Sequence, residues 1–350
     1  MKNARHTVLV LLTIAVVIGA MAVTFYYKGN WHDLKMALQT AHWGYAPLAV
    51  LAGLLVYPVK AFRWKVILGR DQTARYRPLL SAVMIGFMAN CIVSRLGELI
   101  RAAVISIKGE LRTSTALASI ALERIFDVCT VVVFLILALQ WLGPSSMSAA
   151  NAETLKRLTD AKVFLGAVLA AAVIFLVLLR LLPHWMTGLL ERCLRVLPRR
   201  IRDRIGGFLQ TFLRELDTLR SWRQVAAILA LSVVHWSLQV LFFLLVGYCF
   251  PHMEMSVPVA LLIFAVVAFG VAGLPLPGYI GIYQFAVLAA GAIIGMQNPE
   301  QQAAWVGYSW LSWALNIPFV ILVGFIFLWK ENLSLGQIRK QADASKATAD

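Results

Sequence analysis

Glu123, Arg124 and Asp127 interrupt the run 113–141, which is otherwise nearly free of charge. Glu123 and Asp127 are four apart and share one helical face, with Arg124 beside them. The run opens with Thr113, Ser114 and Thr115, good N-cap residues. At a rise of about 1.5 Å per residue, Glu123 and Arg124 lie roughly a dozen ångströms along such a helix, and Asp127 lies deeper. A charge at that depth in hydrocarbon costs about 2.5–3.5 kcal/mol or more, so each group must face a partner or a watery cavity. The available partners are Arg95, Glu98 and Arg101, spaced by three on neighbouring faces of one short helix. Arg95 or Arg101 is expected to pair with Glu123 or Asp127. Such a network either handles a charged ligand or only fastens two elements together.

A second constellation carries no charge. Gly273-Leu274-Pro275-Leu276-Pro277-Gly278 breaks the apolar stretch 257–296. Pro275 and Pro277 prevent regular helix, while Gly278 and Gly281 let the backbone turn and approach a ligand closely. A half-helix starting near Ile280 then directs free N–H groups into the membrane, an end that favours phosphate or carboxylate. Ser94 is placed to cap the other half-helix in the same way. Asn90, His235, Gln239, Gln284 and Asn316 offer neutral polar contacts, with His235 read as a hydrogen-bonded bundle residue rather than a base. Trp305, Trp310 and Trp313 read as interface and packing residues. No nucleophile with its base and no metal-ligand cluster stands out, so no catalytic residue, metal or cofactor is expected. Cys91, Cys129, Cys193 and Cys249 lack metal or redox spacing and read as small hydrophobes.

The elements that must hold these groups belong to a membrane. Sixty per cent of the residues are hydrophobic and the mean hydropathy is +0.77. Runs at 7–27, 44–62, 164–182, 224–250 and 303–329 approach the length of about 20 residues that crosses a bilayer, and with 113–141 they make about six spans. The first run is followed by Lys28-Gly29-Asn30, not a small-x-small cleavage site, and is expected to remain as a span. The net charge of +15 sits in a few loops, which fits cytoplasmic-loop bias and contact with anionic lipid rather than nucleic acid.

Lys and Arg alone orient the chain. Lys2 and Arg5 precede the first run, and the connection after the second carries Arg63, Lys65, Arg70, Arg75 and Arg77, so both lie inside. Residues 142–162 suit the outer side. Residues 184–223 hold Arg192, Arg195, Arg199, Arg200, Arg202, Arg204, Arg214, Arg220 and Arg223. They read equally as an amphipathic helix on the cytoplasmic leaflet or as a plain basic loop. The tail 331–350 is expected to be cytoplasmic and disordered. Residues 1–330 then form one polytopic domain of the cell inner membrane, with both termini cytoplasmic.

Two stretches resist this scheme. Residues 78–108 begin and end inside, 257–296 begin and end outside, and each is broken in the middle into pieces too short to cross comfortably. The fold expected is all-α, with two re-entrant broken-helix hairpins in inverted-topology repeats, 44–141 and 224–329. Matched short, Gly/Pro-interrupted segments point to a midplane substrate site. Ordinary pairs of short spans are the other reading.

Gly86-Phe87 to Asn90, Arg95-Leu96-Gly97-Glu98 to Arg101, and Glu123-Arg124-x-x-Asp127 resemble the flippase-like membrane domain of lysylphosphatidylglycerol synthases. Leu274-Pro275-x-Pro277-Gly278-x-x-Gly281 to Gln284 is similar to that family's second signature, where a Glu often stands near Gln284. The resemblance covers about residues 1–330. It implies a lipid cargo: an anionic or zwitterionic phospholipid, or a polyprenyl-phosphate or hopanoid lipid. No large soluble aminoacyl-transferase domain follows the membrane part, so lipid lysylation by this chain is not expected.

The leading expectation is a flippase or scramblase passing a phosphate-bearing headgroup through a polar crevice between the hairpins. No Gly-x-x-x-x-Gly-Lys-Ser/Thr motif is present to bind ATP. The candidate residues are Asn90, Ser94, Arg95, Glu98, Arg101, Glu123, Arg124, Asp127, Pro275, Pro277, Gly278, Gly281 and Gln284. The alternatives are a membrane-embedded enzyme modifying a lipid, with Glu98, Glu123 or Asp127 as acid–base groups, or a non-transporting partner of a lipid or glycan synthase.

Overall fold

Backbone polar groups in lipid must be satisfied within the segment that carries them, and the apolar runs accordingly fold as helix. The computed structural model describes residues 31–69, 74–92, 96–142, 221–274, 276–296 and 298–333, with isolated positions between 160 and 206 and at 336–337. No strand occurs among the described residues. The spans expected at 7–27 and 164–182 lie wholly or mostly outside them. So do the basic segment up to Arg220, the tail after Leu333, and Ser94, Arg95 and Pro275.

A short helix α1 (Trp31–Gln39) precedes the long helix α2 (Ala46–Leu68). A helical pair follows, α3 (Tyr76–Ile92) and α4 (Gly97–Ile107), and then the long α5 (Thr113–Trp141). The same order recurs: long α6 (Trp222–Gly247), the short pair α7 (Val257–Gly273) and α8 (Ile282–Ile294), and long α9 (Pro299–Lys330). A 3-10 turn, Pro277–Tyr279, lies in the second break.

Among the described residues, four segments are long and apolar enough to cross a membrane: Trp43–Leu68, Trp222–Gly247, Pro277–Ile294 and Pro299–Lys330. Helix α5, at 29 residues, is also long enough, at about 43 Å, but Glu123, Arg124 and Asp127 set it apart in composition. With its 3-10 turn, the second limb of the later hairpin reaches 18 residues. That length sits at the lower limit of what crosses a bilayer.

Packing follows the repeated order. Helices α2 and α6 lie along each other at the centre, α3 packs on α9, and α7 packs on α5. Each half thus lends its first short helix to the last long helix of the other half. Within the halves, α4 lies on α5 as α8 lies on α9. Helices in lipid associate through close packing, and small residues permit it. A Cβ on Gly97 would stand 2.3 Å from both the Asn90 side chain and the Gly86 carbonyl. One on Gly324 of α9 would stand 2.3 Å from Met88 of α3.

Two boundaries differ from the sequence reading. Helix α2 has no Gly after Gly53 and runs to Leu68, ending at Gly69 with φ 70°. Arg63 and Lys65, expected in a cytoplasmic connection, are therefore helical, and Arg63 is fully buried. The N-cap of α5 is Arg112, in extended backbone, so Thr113 opens the helix without capping it.

Candidate functional site

Helical spacing builds the centre of the molecule. Lys60 and Arg63, three apart on α2, face Glu123 and Asp127, four apart on α5. Arg63 Nη2 lies 2.6 Å from Asp127 Oδ1 and 3.2 Å from Glu123 Oε1. Lys60 Nζ contacts Glu123 and lies 3.2 Å from Asp127 Oδ2. From α4, Arg101 Nη2 reaches Glu123 Oε2 at 2.8 Å, and its guanidinium stacks 3.7 Å from the centre of the Trp64 ring. Helix α6 closes the cluster: Arg63 donates to Ser232 at 2.8 Å, and Trp236 Nε1 donates to Asp127 at 3.2 Å. All five charged side chains are buried.

Of the expected pairings of Arg95 or Arg101 with Glu123 or Asp127, that of Arg101 with Glu123 is present, while Arg95 lies outside the described residues. Lys60 and Arg63 are the cluster members that sequence reasoning missed. Arg63 reads as the start of a basic connection, and Lys60 is passed over as a lone charge inside the expected span 44–62. The absence of a helix stop before Gly69 was the signal that could have found them.

Arg124 turns from this cluster toward the first hairpin and pairs with Glu98, with a second approach of 3.6 Å to Asp127. Unlike the buried five, Glu98 and Arg124 are part-exposed, with side-chain exposures of 31% and 41%. They line a crevice of ≈390 Å³ that both breaks reach. Phe87, Asn90 and Glu98 come from the first hairpin, and Val267, Val271, Tyr279 and Tyr283 from the second. Trp236 and Gln239 of α6 and Asn316 of α9 complete the polar lining. His235 sits behind Trp236, buried, with no partner for Nδ1 among the described residues.

The two breaks are finished by neutral amides. Asn90 Oδ1 accepts from the Gly97 N–H at 2.8 Å, and Gln284 Oε1 accepts from the Gly281 N–H at 2.8 Å. Each half-helix start thus has one N–H already occupied by its own chain, which corrects the expectation of wholly free N-termini. In the second break Gly278, Tyr279 and Gly281 all have positive φ, at 64°, 55° and 90°. Tyr279 is rare there, since a side chain disfavours that region. Trp313 Nε1 donates to the Gly278 carbonyl at 2.7 Å and pins the turn. Pro277 opens the 3-10 turn. Neither Gly278 nor Pro277 lines the crevice directly.

At one end of the molecule, Glu331 at the end of α9 is bridged to Lys108 after α4 and to Ser81 of α3. Burial opposes the ionisation of Glu331, but the hydrogen bonds from Lys108 and Ser81 outweigh it and hold the carboxyl below its ordinary value. Glu110 behaves alike: slight burial is outweighed by the backbone N–H and guanidinium of Arg75. No cluster of three or more His, Cys, Asp or Glu able to hold a metal occurs among the described residues.

A helical bundle holding charged residues in its core and a crevice between two interrupted segments defines a multi-pass membrane protein. The family model described as lysylphosphatidylglycerol synthase TM region matches residues 10–324, and the chain belongs to that family. No curated protein and no solved structure gives a significant match.

Proposed function

We propose that the protein is a flippase- or scramblase-like lipid transporter that passes a phosphate-bearing headgroup between leaflets along the crevice between its two hairpins. The observation that carries this reading is the crevice itself. It is bordered by both breaks, it holds an accessible guanidinium and carboxylate, and its remaining wall is apolar enough for acyl chains. Membership of a family named for lysylphosphatidylglycerol synthases supports a lipid as cargo. The matched pairings of the helices support inverted repeats with the short pairs as re-entrant hairpins, an architecture that puts a substrate site near the midplane. In this reading the domain sits in the cell inner membrane with both termini cytoplasmic. Asn90, Glu98 and Arg124 meet the headgroup, Tyr279 and Tyr283 face them, and Arg101, Glu123 and Asp127 hold the hairpin in place. Pro277, Gly278, Gly281 and Gln284 shape the opposite wall.

Reconstitution tests this. Liposomes containing the purified protein should exchange a fluorescent phospholipid between leaflets faster than empty liposomes, with the lipid chemically unchanged. Arg124→Gln should slow that exchange by about tenfold or more, the loss of one charge-assisted hydrogen bond. A new lipid species would favour an enzyme instead. Exchange no faster than in empty liposomes would overturn the proposal.

A further inference from the structure

The charges at the centre do not balance. Among the described residues, Lys60, Arg63, Arg101 and Arg124 supply four positive charges, and Glu98, Glu123 and Asp127 supply three negative ones, with His235 counted neutral. The shortage of acceptors is visible in the bonding. Three buried cations converge on two carboxylates, and Nε of Arg63 and Nε of Arg101, both on buried side chains, have no partner among the described residues. An uncompensated charge in a low-dielectric interior is costly, and one negative charge brought from outside would cancel it.

Only one of the four cations is open to a newcomer. Lys60, Arg63 and Arg101 are buried between α2, α4, α5 and α6, whereas Arg124 faces the crevice, held by Glu98, which is itself part-exposed there. Phe87, Phe264, Val267 and Ile317 line the same space with apolar surface. This combination suits an amphiphile and not a free inorganic ion. Resting on the transport reading above, the geometry points to a lipid headgroup of one net negative charge, a phosphodiester without a compensating amine, as the ligand of the crevice. Its phosphate takes Arg124 from Glu98. Glu98 is then a competitor built into the site: it neutralises Arg124 when the crevice is empty and repels a second anion when it is full. A headgroup of zero net charge leaves the excess uncancelled, and a dianionic phosphomonoester over-corrects it.

Binding can be read without any movement between leaflets. The purified protein in a non-ionic detergent is titrated by calorimetry with dihexanoyl-phosphatidylglycerol, dihexanoyl-phosphatidylethanolamine and the soluble diester glycerophosphoglycerol. The phosphatidylglycerol should bind about tenfold or more tighter than the other two. Glu98→Gln should tighten phosphatidylglycerol binding severalfold, and Arg124→Gln should remove the preference over phosphatidylethanolamine. Equal binding of the two lipids by the wild-type protein, or weaker phosphatidylglycerol binding by a folded Glu98→Gln, overturns the proposal. Equal binding of glycerophosphoglycerol overturns the assignment to a lipid. If the preference holds but no lipid crosses in liposomes, the transport reading falls and the site stands. If lipids cross without regard to headgroup charge, the transport reading stands and this inference falls.

Discussion

The two breaks occupy corresponding places in the chain and are held by different forces. The first is tied down by charge: Arg101 to Glu123, Glu98 to Arg124, and behind them Lys60 and Arg63. The second contains no ionisable acid or base but Tyr279, and it is held by backbone geometry, the Trp313 hydrogen bond and apolar packing of α7 on α5. Charged contacts in a dry interior are strong when complete and expensive when broken. Neutral turns of glycine and proline can give by small steps. On this contrast the first hairpin is expected to be the fixed wall of the crevice and the second the compliant one.

Three experiments bear on that contrast. Glu123→Gln should do most damage, because it strands Lys60, Arg63 and Arg101 around a single remaining carboxylate. A loss of about 3–5 kcal/mol is expected, measured as a fall in the denaturation midpoint of the detergent-solubilised protein. Combining it with Arg101→Gln should recover part of the loss. A fully stable single variant would show that the cluster does not fasten the hairpin.

The paired substitutions Gly97→Ala and Gly278→Ala compare the breaks directly. At Gly97 the new methyl would meet Asn90 and the Gly86 backbone at 2.3 Å, whereas at Gly278 its nearest neighbour is Ile280, 3.6 Å away. The first should destabilise by overpacking, about 1–3 kcal/mol or more. The second should cost about 1–2 kcal/mol, from a side chain forced into left-handed backbone at φ 64°. A smaller loss at Gly97 than at Gly278 in the same stability measurement would count against the contrast.

The smallest effect is expected from pH. The lowered pKa of Glu331 means that its contacts with Lys108 and Ser81 contribute fully above the ordinary glutamate range. The contribution fades as pH falls through the lowered value. Glu331→Gln should lower stability at neutral pH by that small contribution and flatten that part of the acid limb, converging with the wild type at low pH. A curve identical to wild type would remove the clasp from consideration.

Much of this architecture was legible because membranes make certain residues conspicuous. Glu123 and Asp127 stood out through the cost of burying charge, and Pro277, Gly278 and Gly281 through the impossibility of continuing a helix across them. Arg63 did not stand out, because the same residue type marks cytoplasmic loops and only helix length tells the cases apart, and Lys60 passed as a lone charge inside the apolar run 44–62. Asn90 and Gln284 were read as possible ligand contacts. Their use as caps depended on backbone N–H groups whose directions follow from the fold and not from spacing. Arg101 was one of the two cations expected to meet Glu123 or Asp127, because those partners could be counted in depth along α5. Its contact with Glu123 is one of the pairings that spacing left open.

The cluster also bears on how the chain enters the bilayer. Every cation and carboxylate of the network lies between Lys60 and Asp127, in the portion synthesised first. A nascent chain that has emerged only as far as Trp141 already contains the opposite charges needed to shelter one another from lipid. Ser232 and Trp236 arrive later and add hydrogen bonds, not charge. The molecule's most expensive residues can thus find partners during insertion, before the second half exists to receive them.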